Sequence, residues 1–533
     1  MKKSIFIAAF AAVPCLSFAQ SAIDAYNISG SDLRGTARFM SMAGAFSALG
    51  GDLSTLNQNP AGLGVYRSSE IGITLDVNMT SGPGNGSDKT HVYCNNFGYV
   101  GSTSLGNGAM PTFSWGATYS RVASFDRIYS GGFGALNSSM SNYIANFSAG
   151  YAPSVLGEDG SYNPFQNSTA DWLSIMAYNS YMINPTGYND TYNGLFTNGT
   201  TGDAEFSVRE RGYIDEYSIN FGGNIMNTVY WGIGFGITDL SWTQEAFYDE
   251  QLTNARVYDD ATGGTTNGDA YTTLSNFNHI SGSGFNVKLG LIFKPINEFR
   301  LGIAVHTPTW YNLSQTYDAK TTYSYGYDFN AAGYPTSSLE GDYTSDVAYF
   351  DWRLKSPWRL IVGGAGVIGG RFILSADYEY AAYNNMSMSA PNRWNNYVSL
   401  DDVNSDIKTY YQGSNTLRLG AEYRITPRFS VRAGYSYVSS NVKDNANNGA
   451  EYIYTSGTNP AYAFNKTSNY VTFGLGYRFG GFYVDAAYVH KNTNTTYHAY
   501  SPYADANSQW TFEPYTDFSL KNNNIVLTLG YKF

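Results

Sequence analysis

Charge, cysteine, histidine and long apolar runs are all scarce in this 533-residue sequence, and each shortage removes a class of function. Charged residues make up 14% of the chain and the net charge is −11, which argues against a nucleic-acid partner. The two cysteines are Cys15 and Cys94. Cys15 falls in a stretch that reads as a cleaved leader, so no disulfide framework can form within one mature chain. The five histidines, at 91, 279, 306, 490 and 498, stand near no nucleophile motif and in no metal-ligand spacing. The expectation is therefore a protein that is not an enzyme, with no catalytic residue, no metal and no cofactor. No segment approaches the apolar length that a membrane helix needs, and the mean hydropathy is −0.30.

What is abundant points elsewhere. The chain holds 48 Tyr, 31 Phe, 9 Trp and 57 Gly, and from residue 70 onward apolar and polar residues alternate with period two. Ile71, Ile73, Leu75 and Val77 oppose Gly72, Thr74 and Asp76; Phe285, Val287, Leu289 and Leu291 oppose Asn286, Lys288 and Gly290. The last strand ends the chain: Ile525, Leu527, Leu529, Tyr531 and Phe533 form a greasy face with nothing beyond to cover it. A secreted β-sandwich or propeller could share the composition. Lipid covers such a face only if the strands close on themselves and leave no backbone edge. The expected fold is thus all-β, a transmembrane antiparallel barrel with both chain ends on the short-turn, periplasmic side. Strands are read near 70–79, 91–101, 111–122, 211–223, 228–242, 281–293, 298–311, 357–367, 371–383, 413–425, 428–438, 468–479, 481–491 and 521–533, about fourteen in all. Residues 344–356 read as an extension of the strand after Pro357.

The N-terminus fits a Gram-negative outer-membrane destination. Lys2 and Lys3, the apolar Ile5–Val13 and the small-x-small Ser17-Phe18-Ala19 read as a signal peptide over 1–19. Residues 70–533 then form the barrel, with short periplasmic turns such as Ile425-Thr426-Pro427 and long extracellular loops. The longest connection, 123–210, is too long to lack structure of its own. In it Ser168-Thr169-Ala170-Asp171 resembles a capping box before a helix carrying Trp172, Leu173, Ile175, Met176 and Met182. That helix either packs over the barrel mouth or offers an apolar landing surface.

Residues 20–69 do not alternate. Gly35 to Leu49 reads as a short helix of small residues, too weakly apolar to build a core and suited to plug a lumen. With Met42-Ala43-Gly44-Ala45-Phe46, Asp52 and Asn59-Pro60-Ala61-Gly62 ahead of the first strand, the chain resembles the FadL/TodX family of outer-membrane channels for long-chain fatty acids and aromatic hydrocarbons. Ser356-Pro357-Trp358-Arg359-Leu360 and Arg371-Phe372-Ile373-Leu374-Ser375-Ala376-Asp377 support the likeness. The C-terminal strand also resembles the signal read by the barrel assembly machinery. The resemblance implies fourteen strands, an N-terminal hatch over 20–69, passive uptake of a hydrophobic small molecule, hatch movement and sideways release. Expected partners are that ligand, outer-membrane lipid and lipopolysaccharide, and the assembly machinery, with the chain acting as a monomer. A fourteen-stranded barrel serving protein secretion or a structural role, and a general aqueous porin, are the alternatives.

Candidate site residues follow. Asn59, Pro60, Ala61 and Gly62 form a stiff hatch corner, in which Pro60 fixes φ and Gly62 supplies dihedrals closed to other residues. Gly232, Gly234 and Gly236 line the lumen side of one strand, leaving either a ligand slot or room that the hatch or a neighbouring Tyr fills. His306, Arg300, Arg418 and Arg432 point inward by parity, as do Asp377, Glu379, Glu422 and Asp485. These charges brace the barrel in pairs, unless an unpaired arginine holds a carboxylate headgroup.

Overall fold

The computed structural model describes residues 20–533 apart from 85, 107, 261, 328–336, 392–398, 456 and 505–509; the expected leader over 1–19 lies outside the described residues. The alternation becomes a closed antiparallel barrel. Its strands are β1 Glu70–Ser81, β2 Lys89–Ser104, β3 Thr112–Ser124 with its continuation Arg127–Phe133, β4 Thr201–Ile225, β5 Val229–Asp259 and β6 Gly264–Ile296. β7 runs in two pieces, Phe299–His306 and Trp310–Tyr327, and so does β8, Ala348–Lys355 and Arg359–Ile368. β9 Phe372–Ala382, β10 Gly413–Arg424, β11 Phe429–Val438, β12 Tyr462–Phe479, β13 Phe482–His498 and β14 Tyr515–Lys532 complete the wall. β14 pairs with β1 from Lys532↔Glu70 to Lys521↔Ser81, so the last strand closes on the first. Closure removes the edge that lipid would punish.

The outward residues are the apolar ones. Ile525 (53% exposed), Leu527 (43%) and Leu529 (49%) stand on the outside of β14, while Asn524, Val526 and Thr528 are buried within. Short turns join the strands at one end. At the other end β4, β5 and β6 run on to 25, 31 and 33 residues, far past the 9–11 that cross a bilayer. They rise into a cap with the helices α4 Met140–Phe147, α5 Pro153–Leu156, α6 Pro164–Asn167 and α7 Trp172–Asn179, packed around a buried apolar cluster. The helix expected after Ser168 is present, but not through a capping box. Asp171 is the N-cap and makes no side-chain cap bond, while the Ser168 hydroxyl is turned back onto the Pro164 carbonyl (2.9 Å). Met182 lies beyond the helix, which ends at Asn179.

The barrel's two seams of chain both meet at the short-turn end, where Ser69 N bonds Phe533 O at 3.0 Å. The N-terminal segment does not stay there. It threads up the lumen, so that helix α1, Ala22–Asn27, sits in the long-loop half beside helix α8, Asp401–Tyr410. Ala22, Ile23, Ala25 and Tyr26 find their apolar partners there, in the upper lumen, which is why the segment runs up and does not stay at the short-turn end.

Candidate functional site

Residues Thr36 to Leu63 cross the lumen and almost all of them are buried. Thr36 caps helix α2, Ala37–Ser41, by accepting from Phe39 N (3.2 Å), and its hydroxyl donates to Asp52 (2.7 Å). Asp52 also accepts from Ser54 N (2.9 Å), so this one carboxylate folds the hatch upon itself. The helix expected from Gly35 to Leu49 shrinks to five residues, because Ala43 (φ 52°) and Gly44 (φ 74°) adopt left-handed backbone. At the corner, Asn59 is extended (φ −141°, ψ 100°) and Pro60 opens the 3-10 turn Pro60–Val65, as the residue before a proline favours. The Asn59 amide donates to the Ser47 carbonyl (2.7 Å) and its oxygen accepts from Ala61 N (3.1 Å). Gly62 corrects the expectation made for it. Its φ is not left-handed; it is glycine because a Cβ would meet Thr55 Oγ1 at 2.5 Å.

The wall is cut to receive this hatch. A Cβ on Gly232 would lie 2.2 Å from the Pro60 carbonyl, one on Gly302 2.3 Å from Ser47 O, and one on Gly474 2.3 Å from the Ser41 Cβ. Gly72, Gly116 and Gly434 meet Leu53, Leu56 and Met42 in the same way. The lumen glycines thus form a belt that seats the hatch. Gly234 and Gly236 are covered from the wall itself, by Asn220 and by Asn286 with Glu216, so the row of three is filled and no slot remains open along it. Gly232→Leu is therefore expected to lift the corner at Pro60 while the outward residues of β5 still insert. Planar-bilayer recordings should show a leak absent from the parent, with the heat-modifiable gel mobility of the folded barrel unchanged; a tight barrel would contradict the seat.

Polar side chains lock the seated hatch. Ser47 donates to Asp377 through both its N–H (2.8 Å) and its hydroxyl (2.6 Å). His306 Nε2 meets Gln58 O at 2.8 Å, and Arg300 donates to Leu49 O at 2.7 Å. Arg432 pairs with Glu422 (2.9 Å) and Asp485 (2.6 Å), Arg418 with Glu379 (2.6 Å), and the hatch's own Arg38 with Glu422 (2.9 Å). Of the named arginines, Arg300 faces no carboxylate among the described residues.

Above the hatch the lumen changes character. Trp242, Ile280, Leu313, Trp352, Tyr411 and Phe464 belong to an apolar chamber into which α1 inserts, with Tyr26 stacked on Tyr411 at 5.5 Å. Burial pushes the Tyr26 hydroxyl up to about 12. Between chamber and hatch lie two polar cavities of about 180 Å³ each. One runs along Asp32, Ser124, Asp126, Arg127 and Lys491; the other along Lys288, His306, Arg359, Glu379 and Arg418. Burial alone would raise the Asp32 carboxyl, but Lys491 (2.6 Å) and Arg34 (3.8 Å) beside it hold it below the usual range.

Among the described residues the ladder between β2 and β3 is interrupted. β2 and β3 pair from Ser104↔Thr112 up to Asn96↔Ser120 and then part. Above that point Lys89–Cys94 pair only with β1, with Asn95 bulged out of that register, and the β3 residues beyond Ser120 pair only with β4, with Val122 bulged. β3 bulges between Arg121 and Ala123, and the gap closes at the top where Ser130 N bonds Pro83 O (3.0 Å). A second irregularity, at Thr307–Thr309 against Ser356–Trp358, is not a gap. There the prolines Pro308 and Pro357 break both ladders, yet Thr309 O accepts from Ser356 N (3.1 Å) and Thr309 N donates to Ser356 Oγ (2.8 Å). Neither the seam nor the N-terminal helix in the chamber is predicted by the sequence pattern; β3 alternates through Ser120 like its neighbours, and residues 22–27 carry no stronger apolar signal than the hatch.

No protein-family profile matches the sequence, and no curated protein sequence matches it either. Solved structures do. A FadL homologue from Pseudomonas aeruginosa superposes with a TM-score of 0.51 at 14% identity, over 95% of this chain and 100% of that one. The Pseudomonas putida toluene transporter TodX gives a TM-score of 0.45 at 15% identity, over 95% and 100%. The Ralstonia pickettii toluene transporter TbuX gives 0.45 at 13%, over 95% and 100%. The first of these superposes closely enough to establish a shared architecture. By fold the chain is a closed antiparallel β-barrel like that FadL homologue.

Proposed function

We propose that this protein is an outer-membrane channel for passive uptake of hydrophobic small molecules, long-chain fatty acids or similar lipids and aromatics. The ligand enters from the cap, competes with α1 for the apolar chamber, and loosens the N-terminal thread that continues into the hatch. It leaves sideways through the interval between β2 and β3. The observation that carries this reading is that interval. Unpaired strand backbone inside a lipid-facing wall costs several kcal/mol per orphaned group and is tolerated only where it borders a cavity, and here it borders the polar space above a sealed hatch. Val77 and Met79, facing out on β1 beside it, set its height within the apolar band. A general porin keeps an open lumen, which a seated hatch denies.

The test is uptake of radiolabelled oleate and of toluene by Gram-negative cells lacking their own such channel, with and without this protein. Saturable uptake that survives collapse of cellular energy is the expected result. Oleate should compete better than methyl oleate if a cavity arginine holds the carboxylate, and equal competition removes that anchor. No uptake of either compound class, together with stoichiometric co-purification of a secreted protein, would replace the channel reading by the secretion one.

A further inference from the structure

The interval between β2 and β3 is not simply open: it is stitched from inside by the N-terminal thread, and one aromatic ring fills the remaining space. Asp32 N donates to Val122 O (3.0 Å) on the β3 lip. Two residues further, Arg34 Nη1 donates to Asn95 Oδ1 (3.0 Å) on the β2 lip and to Asp76 (3.1 Å) on β1. Residues 32–34 thus replace, across the gap, the ladder bonds that the strands themselves lack. Tyr93 projects from the β2 lip into the same gap. The guanidiniums of Arg34 (5.5 Å) and Arg121 (4.7 Å) both lie over its ring, and its hydroxyl meets Asp126 and Ser124 on the β3 side. Arg121 is itself fixed, by two bonds to Asp215 (2.9 and 3.1 Å) on β4.

We infer that Tyr93 is the latch of the lateral gap and that Arg34 couples it to the N-terminal thread. This deepens the channel reading and rests on it for its purpose, though not for its geometry. Two cation–π contacts to one ring, both from largely buried guanidiniums, are a strong closure. Withdrawal of Arg34 with the thread removes one of the two cation–π contacts and the bonds to Asn95 and Asp76 together. Closure would then depend on the Arg121 contact and the Tyr93 hydroxyl. Arg34 sits between α1, in the chamber, and α2, in the hatch, so displacement of either pulls on it. Ligand arrival in the chamber and opening of the wall are by this route one event, and Tyr93, as the last group in the gap, sets the width a ligand needs.

Cys94, adjacent to Tyr93 and the free thiol among the described residues, reports on the gap without engineering. In proteoliposomes, alkylation of Cys94 by a water-soluble maleimide should accelerate about tenfold in Tyr93→Ala and in Arg34→Gln, the scale of losing one or two desolvated cation–π contacts. Tyr93→Phe, which keeps the ring in place, should stay close to the parent rate. Tyr93→Ala touches no ladder bond, so folding of that variant is secure even if Arg34→Gln assembles poorly. Parent-like labelling in both Tyr93→Ala and Arg34→Gln overturns the latch, whatever the transport result. Accelerated labelling in a barrel that transports neither oleate nor toluene would leave the latch standing and remove the uptake reading instead.

Discussion

A chain lacking residues 20–65 should insert as a stable barrel and conduct ions continuously, where the intact protein is nearly silent. The reason is geometric. Eight strands enclose a space that side chains can fill, and sixteen to eighteen leave an aqueous channel. Fourteen fall close to the second case, and the inward side chains that border this lumen include a belt of glycines that fill none of it. At its own level the hatch occupies the cross-section. Its removal exposes Asp377, Glu379, Glu422, Arg432 and Asp485 to water in an open pore, and the expected conductance is that of a porin of similar width. Planar-bilayer recordings measure it directly, and gel mobility before and after heating shows whether the barrel has assembled. An assembled but silent barrel would mean that the long-loop cap is the real stopper. That outcome is worth anticipating, because α4 and α7 bury Ile144, Ile175 and Met176 completely within the cap, a core built to hold together without the hatch.

How far this organisation is legible in the sequence depends on the kind of order involved. Strand position follows from alternation because lipid imposes a strict rule, apolar outward on every second residue. Ile71, Leu289 and Leu529 obey it, and all fourteen expected spans coincide with strands of the wall. The upper limits of β4, β5 and β6 do not follow, since beyond the lipid the outward face turns polar, as at Asp239 and Glu245, and the pattern fades while pairing continues. The hatch is visible as an absence of alternation, but its fit is not. Whether Gly232 faces a slot or a seat depends on where Pro60 lies, and nothing local in either segment carries that information. Glycine at Gly62 shows the same limit: the residue type fits a left-handed turn and a close approach equally well, and only packing against Thr55 decides. The gap between β2 and β3 is harder still. It coincides with bulges at Asn95 on β2 and at Arg121–Ala123 on β3, where the residues Arg121, Val122 and Ala123 would suit an uninterrupted strand, and with the bonds that Asp32 and Arg34 supply to Val122 and Asn95 from 90 and 61 residues away. The inward arginines were readable as a set, and their partners were not, because strand parity gives direction without register.

That register makes Glu422 the residue whose loss should be felt most widely. Its carboxylate is almost wholly buried and accepts from Arg38 of the hatch (2.9 Å) and from Arg432 of β11 (2.9 Å), while Arg432 reaches on to Asp485 of β13 (2.6 Å). One acidic group therefore holds the hatch to the wall and braces neighbouring strands. Glu422→Ala would leave the guanidinium of Arg38 buried with no carboxylate bonded to it and remove one of the two that hold Arg432. Breaking a buried pair in this way costs about 3–5 kcal/mol, against about 0–1 for an exposed one. The exposed pair Lys320–Asp342, with both side chains more than half accessible, is the matched control. Urea unfolding from liposomes should show the first loss and not the second, and Glu422→Ala should also leak ions, since Arg38 no longer ties α2 to β10. A further variant separates charge from packing. Replacing Glu422, Arg38 and Arg432 together by apolar residues of similar size leaves Asp485 without its guanidinium, so Asp485→Asn belongs in the same variant. Such replacement of a whole buried network is often neutral for stability, so the quadruple variant should recover most of the lost unfolding free energy. If the network only braces, the recovered barrel is also tight. If hatch movement uses the bond between Arg38 and Glu422 as its release point, the recovered barrel is stable and tight yet no longer opens on ligand, because an apolar contact buried in the lumen does not exchange partners with water as an ion pair does. Stability unchanged by Glu422→Ala would exclude both roles at once.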